Sequence, residues 1–142
     1  MVAITKEFQR PFTKVLNQLR KVGLRPTRQR LALAKLLFEG GNRHVTAEVL
    51  HAEAQAANIK VSIATIYNTL HQFTSVGLLR EIFVDSQRLY FDTYIADHHH
   101  FFHEGSGRLE DIPSDQIVLS SMPSPPDGTK VKRVEVIVRV EN

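Results

Sequence analysis

The first half of the chain places apolar residues at intervals of three and four, a spacing that predicts amphipathic helices. A first helix would end at Gly23 and bury one apolar stripe: Phe8, Phe12, Val15, Leu19 and Val22. A second would begin after Thr27 and continue to residue 38, ahead of two glycines. Thr27 suits that start because a threonine hydroxyl can accept a backbone N–H at a helix N-terminus.

Two further helices follow at close spacing. The third would begin after Thr46 and run over residues 47–57, with four residues facing inward: Val49, Leu50, Ala54 and Ala57. The fourth would begin after Ser62 and end at Gly77, with an inner face of Ile63, Ile66, Leu70 and Phe73. Its outer face would consist of Ala64, Thr65, Tyr67, Asn68, His71 and Gln72. Such a helix pair is typical of a helix-turn-helix.

Shorter runs of β-branched and aromatic residues follow. Residues 79–84 and 88–91 flank Asp85 and Ser86 and predict a hairpin directly after the fourth helix, with further strands over 98–103, 107–112 and 131–140. The predicted fold class is therefore α+β, with a winged-helix DNA-binding domain over residues 1–92 and a small α/β dimerisation domain over 93–142. Unpaired strand edges in so small a domain favour a homodimer.

Charge differs between the two halves of the chain. Residues 1–80 carry 12 Lys and Arg against 4 Asp and Glu, a net +8, whereas residues 81–142 carry 6 against 11, a net −5. Between Phe8 and Phe38 there are eight basic residues and no acidic one. A solvated basic helix pair could have this composition, but beside a helix-turn-helix it indicates a face suited to the phosphates of double-stranded DNA.

The polar face of the fourth helix supplies candidate base contacts. An asparagine can pair with adenine through two hydrogen bonds, whereas arginines ahead of the second helix are better placed to bind phosphates. Polar residues occupy any exposed helix face, so this interpretation depends on the surrounding positive charge. The residues expected to contact DNA are Arg25, Arg28, Arg30, Ser62, Thr65, Tyr67, Asn68 and Arg88.

Four of the seven histidines lie within six residues, at positions 98, 99, 100 and 103, and the chain has no cysteine. Imidazole binds transition metals and haem iron near neutral pH, and without thiolates the other ligands must be carboxylates. In a strand, His98 and His100 would share one face and His99 would point to the other. An accidental polar run is the alternative. Residues available to complete a site are His44, Asp92, Glu110 and Asp111.

Other classes of protein fit the sequence less well. No window approaches the roughly 20 apolar residues needed to span a bilayer, so we expect no membrane association and a cytoplasmic location. A metallohydrolase would need a general base beside its metal ligands, and the chain has no His-Glu-x-x-His arrangement. We therefore expect no enzymatic activity.

Five segments resemble, in order and spacing, the signatures of the ferric uptake regulator (Fur) superfamily: residues 24–30, 44–48, 64–67, 77–79 and 98–100. The resemblance extends over nearly the whole chain. It implies a dimeric bacterial transcription regulator with an N-terminal winged helix, a C-terminal dimerisation domain and a regulatory divalent metal, Fe²⁺, Mn²⁺ or Zn²⁺, at their junction. In this chain the metal ligands would be His44, Asp92, His98, His100 and Asp111, with Glu110 as an alternative to Asp111.

Departures from the family pattern point to one branch. Where most members have a pair of cysteines this chain has His103 and Ser106, and Asn68 replaces the arginine that commonly follows the recognition tyrosine. These departures resemble the iron response regulator (Irr) branch, which implies a regulator that is active when iron is low and released from DNA by haem. The haem ligands would come from His98, His99 and His100. The alternative is a repressor activated by Fe²⁺ or Mn²⁺ at the domain junction.

Overall fold

The chain divides into two compact units, Met1–Ile95 and Ala96–Asn142, of which the computed structural model describes residues 12–142. Phe8, expected in the first helix, lies outside the described residues. The division falls shortly after the boundary expected between residues 92 and 93. The assignment of DNA binding to the first unit and dimerisation to the second stays a prediction.

Four α-helices lie in the described part of the first unit: α1 (Thr13–Lys21), α2 (Arg28–Phe38), α3 (Ala47–Ala56) and α4 (Ile63–Ser75). The three predicted N-caps are confirmed, because the hydroxyls of Thr27, Thr46 and Ser62 each accept a backbone N–H from the first helical turn. Even α4, with 13 residues, is short, and none of the helices in the described chain is long and apolar enough to cross a membrane.

One apolar cluster packs these helices together. Leu19 of α1, Leu37 of α2 and Leu50 of α3 are fully buried in it. Phe73 of α4 is buried in the same cluster, together with Phe91 from the neighbouring sheet. Burying each such side chain stabilises the fold by roughly 1.5–3 kcal/mol. Since this packing uses one face of α4, the opposite face is left for solvent or a partner.

Four residues predicted to face the core are exposed, the first being Phe12, which precedes α1 as its N-cap and is 38% exposed. Val49 is 46% exposed, and Ala57 lies just beyond the end of α3, whose buried stripe is Ala47, Leu50 and Ala54. Ile63 is 39% exposed although it shares the face of Ile66. It is the first residue of α4, and because helical side chains lean toward the N-terminus it extends past the end of the core.

A three-stranded antiparallel sheet completes the first unit. Its strands are β1 (His44–Val45), β2 (Arg80–Asp85) and β3 (Arg88–Asp92), in the order β1-β3-β2. The β2–β3 hairpin directly after α4 was predicted, whereas β1 was not, because two residues are too short to produce a period. In this register His44 lies opposite Asp92 across the β1–β3 pair.

The second unit contains another three-stranded sheet: β4 (His99–His103), β5 (Leu109–Ile112) and β6 (Ile137–Val140), in the order β5-β4-β6. β5 pairs antiparallel with β4 and places Asp111 opposite His100, whereas β6 pairs parallel with β4. The prediction of a small α/β domain was wrong in its helical part. The helical structure of residues 96–142 is a single 3₁₀ turn, Ser114–Gln116, and the proline-rich region that follows has no helical periodicity.

The strand predicted over residues 131–140 was wrong for its first six residues. β6 begins at Ile137 because its pairing with β4 starts at His100, close to the beginning of that strand. Just before β6, the N–H of Val136 donates to a side chain, Nδ1 of His99, at 3.1 Å rather than to a backbone carbonyl of a neighbouring strand. The alternation of valines therefore predicted a longer strand than the one that forms.

Thr46→Ala tests the helix start that follows β1. The substitution removes the hydroxyl that accepts the Val49 N–H, so we expect the free energy of unfolding to fall by about 1 kcal/mol in urea denaturation followed by circular dichroism. Thr46→Ser keeps the hydroxyl and is the matched control. Equal losses in the two variants would contradict the capping role.

Candidate functional site

Two buried histidines of the second unit converge on one carboxylate. His98 precedes β4, His100 lies within it, and each is 2% exposed. Their Nε2 atoms lie 3.2 and 3.3 Å from the same oxygen, Oδ1 of Asp111, and their ring centroids are 4.5 Å apart. The predicted common face of His98 and His100 is therefore confirmed. Two nitrogens and an oxygen within 4.8 Å of one another form a donor set suited to a transition metal.

The hydrogen bond of His98 fixes its tautomer. Nδ1 of His98 lies 2.6 Å from the carbonyl oxygen of Ala96, and because a carbonyl oxygen accepts, Nδ1 carries the hydrogen. In the neutral ring Nε2 then has a lone pair, and this lone pair faces the Asp111 carboxylate. Two acceptors at this distance need a hydrogen or a metal ion between them. A histidine that donates its other N–H to a backbone carbonyl is the usual form of a metal ligand.

The third member of the triplet has a different role. His99 points to the other face of β4, as predicted, where its Nδ1 accepts the N–H of Val136. Further along the strand, Nε2 of His103 lies 3.0 Å from Oε1 of Glu110. The structure thus brings Asp111, rather than Glu110, to His98 and His100. The three consecutive histidines do not form one set of ligands directed at a common point.

A second ligand pair belongs to the first unit. Nε2 of His44 on β1 lies 3.2 Å from Oδ2 of Asp92 on β3, and the Asp92 side chain is 1% exposed. The other carboxylate oxygen, Oδ1, accepts the backbone N–H of Tyr94 at 2.8 Å. This bond fixes the rotamer of Asp92 and leaves Oδ2 directed at the histidine. A nitrogen and an oxygen ligand are therefore positioned together on this sheet.

Some of the residues expected to contact DNA are exposed, and others already make hydrogen bonds within the protein. Arg25, Arg28 and Asn68 are exposed. Ser62 and Thr65 serve the start of α4, because the Ser62 hydroxyl accepts the N–H of Thr65 and donates to its Oγ1. Polar groups used in this way are fixed in orientation before any partner binds.

Two of the predicted arginine contacts are held within the protein. The Arg30 guanidinium donates to the carbonyl of Arg25 at 2.8 Å and to Oε1 of Gln72 at 3.1 Å. Nε of Arg88 lies 3.9 Å from Oδ2 of Asp85 in the β2–β3 hairpin. Both side chains are therefore less free to meet phosphates than the exposed Arg25 and Arg28.

Tyr67 is anchored by a residue that sequence reasoning did not assign to the site. Its hydroxyl donates to Oε1 of Glu48 at 2.6 Å, linking α4 to the first turn of α3. This hydrogen bond lowers the pKa of Glu48, since it favours the carboxylate, and it raises the pKa of Tyr67. The one sign in the sequence that Glu48 has a role was its position in the segment 44–48, which resembles a family signature. Its partner, 19 residues away, could not be read from the pattern.

The sequence pattern of the Ferric uptake regulator family matches residues 21–138, which is most of the chain. The protein therefore belongs to the ferric uptake regulator family.

Two curated relatives are similar to part of the chain. The peroxide-responsive repressor PerR of Staphylococcus epidermidis is 31% identical over 99 residues, which cover 70% of this chain and 65% of that protein. PerR of Staphylococcus aureus is 30% identical over 99 residues, covering 70% of this chain and 66% of its own length. The chain thus spans just under two thirds of the length of these curated relatives.

Solved structures share the mixed helix-and-sheet fold, which confirms that part of the predicted fold class. The ferric uptake regulator of Pseudomonas aeruginosa with manganese has a TM-score of 0.65 and 23% identity, over 89% of this chain and 96% of that one. The ferric uptake regulator of Francisella tularensis with iron has a TM-score of 0.68 and 20% identity, over 84% and 92%.

Tyr67→Phe tests the link between α3 and α4. Losing the donated hydrogen bond should raise the pKa of Glu48 toward its ordinary value, which carbon-13 NMR of the carboxyl group across a pH titration measures. Because the folded-state pKa of Glu48 is lowered, the stabilisation from this pair is present above the unfolded-state pKa and is lost as the pH falls through the folded one. Tyr94→Phe, at an exposed tyrosine, is the control; an unchanged Glu48 pKa in Tyr67→Phe would contradict the link.

Proposed function

We propose that this protein is a metal-dependent, DNA-binding transcription regulator rather than an enzyme. The observation that carries the metal assignment is the buried His98, whose Nε2 lone pair faces Asp111 beside a second imidazole. A bound divalent cation would accept the lone pair of His98 and an oxygen of Asp111 together. Imidazole and carboxylate ligands suit Fe²⁺, Mn²⁺ or Zn²⁺.

DNA binding is assigned to the first unit, as a winged helix. The α3–α4 pair would be the helix-turn-helix, with α4 in the major groove, and the β2–β3 hairpin would be the wing. The net charge of +8 over residues 1–80 supports this assignment. The proposed contacts are Arg25, Arg28, Arg30, Ser62, Thr65, Tyr67, Asn68 and Arg88.

We further propose that the two ligand sets bind the same ion. His44 and Asp92 supply two ligands and the second unit supplies three, so neither set alone fills the coordination of five or six ligands that iron and manganese commonly adopt. Asp92 and His98 are six residues apart, and a chain of that length spans at most about 20 Å. An ion held by both sets would fix the two units relative to each other. The proposed ligands are His44, Asp92, His98, His100 and Asp111.

The protein would act as a homodimer in the cytoplasm on a two-fold operator. β5 and β6 are the edge strands of the second sheet, and edge strands are the usual sites of pairing between copies. A two-fold dimer would present two α4 helices to successive major grooves. The curated relatives are named repressors, which supports a repressor of this kind.

The haem-released regulator of the iron response regulator branch is the second candidate. The histidine triplet and the absence of cysteine favour it. The side chains of His98 and His100 are 3% exposed, however, and His99 points to the other face, so a haem would have to displace both the Asp111 contacts and the packing around them. Metal activation requires no such rearrangement and is the preferred function.

Operator binding by chelated protein distinguishes the two candidates. We expect weak binding of duplex DNA after chelation and a rise of about 5- to 150-fold, the usual range of allosteric coupling, on adding Mn²⁺ or Fe²⁺ under anaerobic conditions. Fluorescence anisotropy with a duplex selected from a random library measures it. His98→Ala and His100→Ala should abolish the rise.

His99→Ala is the matched control, because His99 lies outside the proposed ligand set, and it should respond to metal as the wild type does. Strong DNA binding after chelation, lost on adding haem and restored in His99→Ala, would contradict metal activation and support haem release. Circular dichroism of each variant establishes that it is folded.

A further inference from the structure

The guanidinium of Arg30 is held at two points that belong to different parts of the first unit. One is the carbonyl of Arg25, ahead of α2, and the other is Oε1 of Gln72, in the third turn of α4. Gln72 itself is exposed. The contact therefore joins the start of α2 to the polar face of the proposed recognition helix.

This contact fixes the polarity of Gln72. A guanidinium has donors and no acceptor, so the atom of the Gln72 amide that faces Arg30 must be the oxygen. Because Oε1 faces Arg30 and the amide is planar, the amide nitrogen and its two hydrogens point away from Arg30, where a partner can accept from them. Gln72 thus differs from a freely rotating glutamine, which can offer a donor and an acceptor side by side.

Gln72 lies where a base edge would be read. An open cleft of about 250 Å³ runs along α4 and is lined by Thr27, Gln29, Arg30, Thr65, Asn68, Thr69 and Gln72. Thr65, Asn68 and Gln72 are spaced by three and four residues, so they share one face of the helix. If α4 enters the major groove, this face meets the bases.

We propose that Gln72 is a specificity-determining residue that meets the base with its N–H donors, and that Arg30 is the positioning residue that turns its oxygen aside. The inference rests on the proposed function, since it assumes that α4 reads DNA. A glutamine pairs with adenine by accepting from N6 and donating to N7, which requires its oxygen. In the major groove guanine presents two acceptors, N7 and O6, whereas adenine and thymine present one each, N7 and O4. An amide that donates therefore selects guanine most strongly and rejects cytosine, which presents a donor.

The positioning role replaces the direct DNA contact proposed for Arg30 above, and a phosphate contact would behave differently. Removing a phosphate contact weakens binding to all sequences alike and lowers the slope of log affinity against log salt by about one. Removing a positioning residue leaves that slope unchanged and alters the base preferred at one position. The two roles of Arg30 are therefore separable by measurement.

The test uses the full chain with Mn²⁺ and a duplex selected from a random library, with each base pair of the selected site then varied. The wild type should prefer guanine over adenine at one position by about tenfold, within the usual range for one base contact. Arg30→Met should shift that preference to adenine at an unchanged salt slope. Arg28→Met is the matched control: as an exposed phosphate contact it should lower the slope and leave the preference intact.

Two variants of Gln72 complete the test. Gln72→Glu keeps an acceptor for Arg30 but replaces the outward donor with a carboxylate oxygen, so the preferred base should become cytosine. Gln72→Ala should remove the preference at this position, and Arg30→Met should then have no further effect on it. This second set also covers the case in which Arg30→Met does not fold.

The outcomes separate this inference from the proposed function. If the wild type retains no duplex with or without metal, both are wrong. If it selects a site and Arg30→Met weakens binding evenly with a lower salt slope, or Gln72→Glu leaves the preferred bases unchanged, the donor role of Gln72 is overturned and DNA binding stands.

Discussion

Two buried imidazoles that face one partly exposed carboxylate form the interaction on which the proposed function of the molecule depends. The Ala96 carbonyl takes the Nδ1 hydrogen of His98, so the other nitrogen presents a lone pair to Asp111. Placing the lone pair of His98 against a carboxylate costs free energy unless a hydrogen or a metal ion lies between them. The pairing of β4 with β5 maintains the arrangement because it places Asp111 opposite His100.

In the proposed function, metal binding acts on a DNA-reading face that is already built. Glu48 holds the hydroxyl of Tyr67 and Arg30 holds the amide of Gln72, so the polar side chains of α4 are oriented without the ion. The ion would strengthen DNA binding only as far as it prefers the arrangement of the two units that fits the operator. By the same linkage, operator DNA must strengthen metal binding by an equal factor.

The sequence predicted elements with a periodic residue pattern well and contacts between distant residues poorly. Apolar spacing located the four helices of residues 12–95, and the hydroxyls at Thr27, Thr46 and Ser62 marked three of their starts correctly. Period-two alternation placed His98 and His100 on one face. Burial at helix ends could not be predicted, as Ile63 illustrates, because it depends on how far the core extends beyond the helix. The partners of Arg30 and Tyr67 depend on tertiary packing between helices distant in sequence, which no local pattern encodes.

The most direct measurement is the stoichiometry of Mn²⁺ binding by isothermal titration calorimetry for the wild type, His44→Ala and His100→Ala. If one ion is shared by both ligand sets, the wild type binds a single tight Mn²⁺ per chain, and either substitution alone removes that event. Two tight ions in the wild type, with each variant losing one and retaining the other, would contradict a shared metal centre.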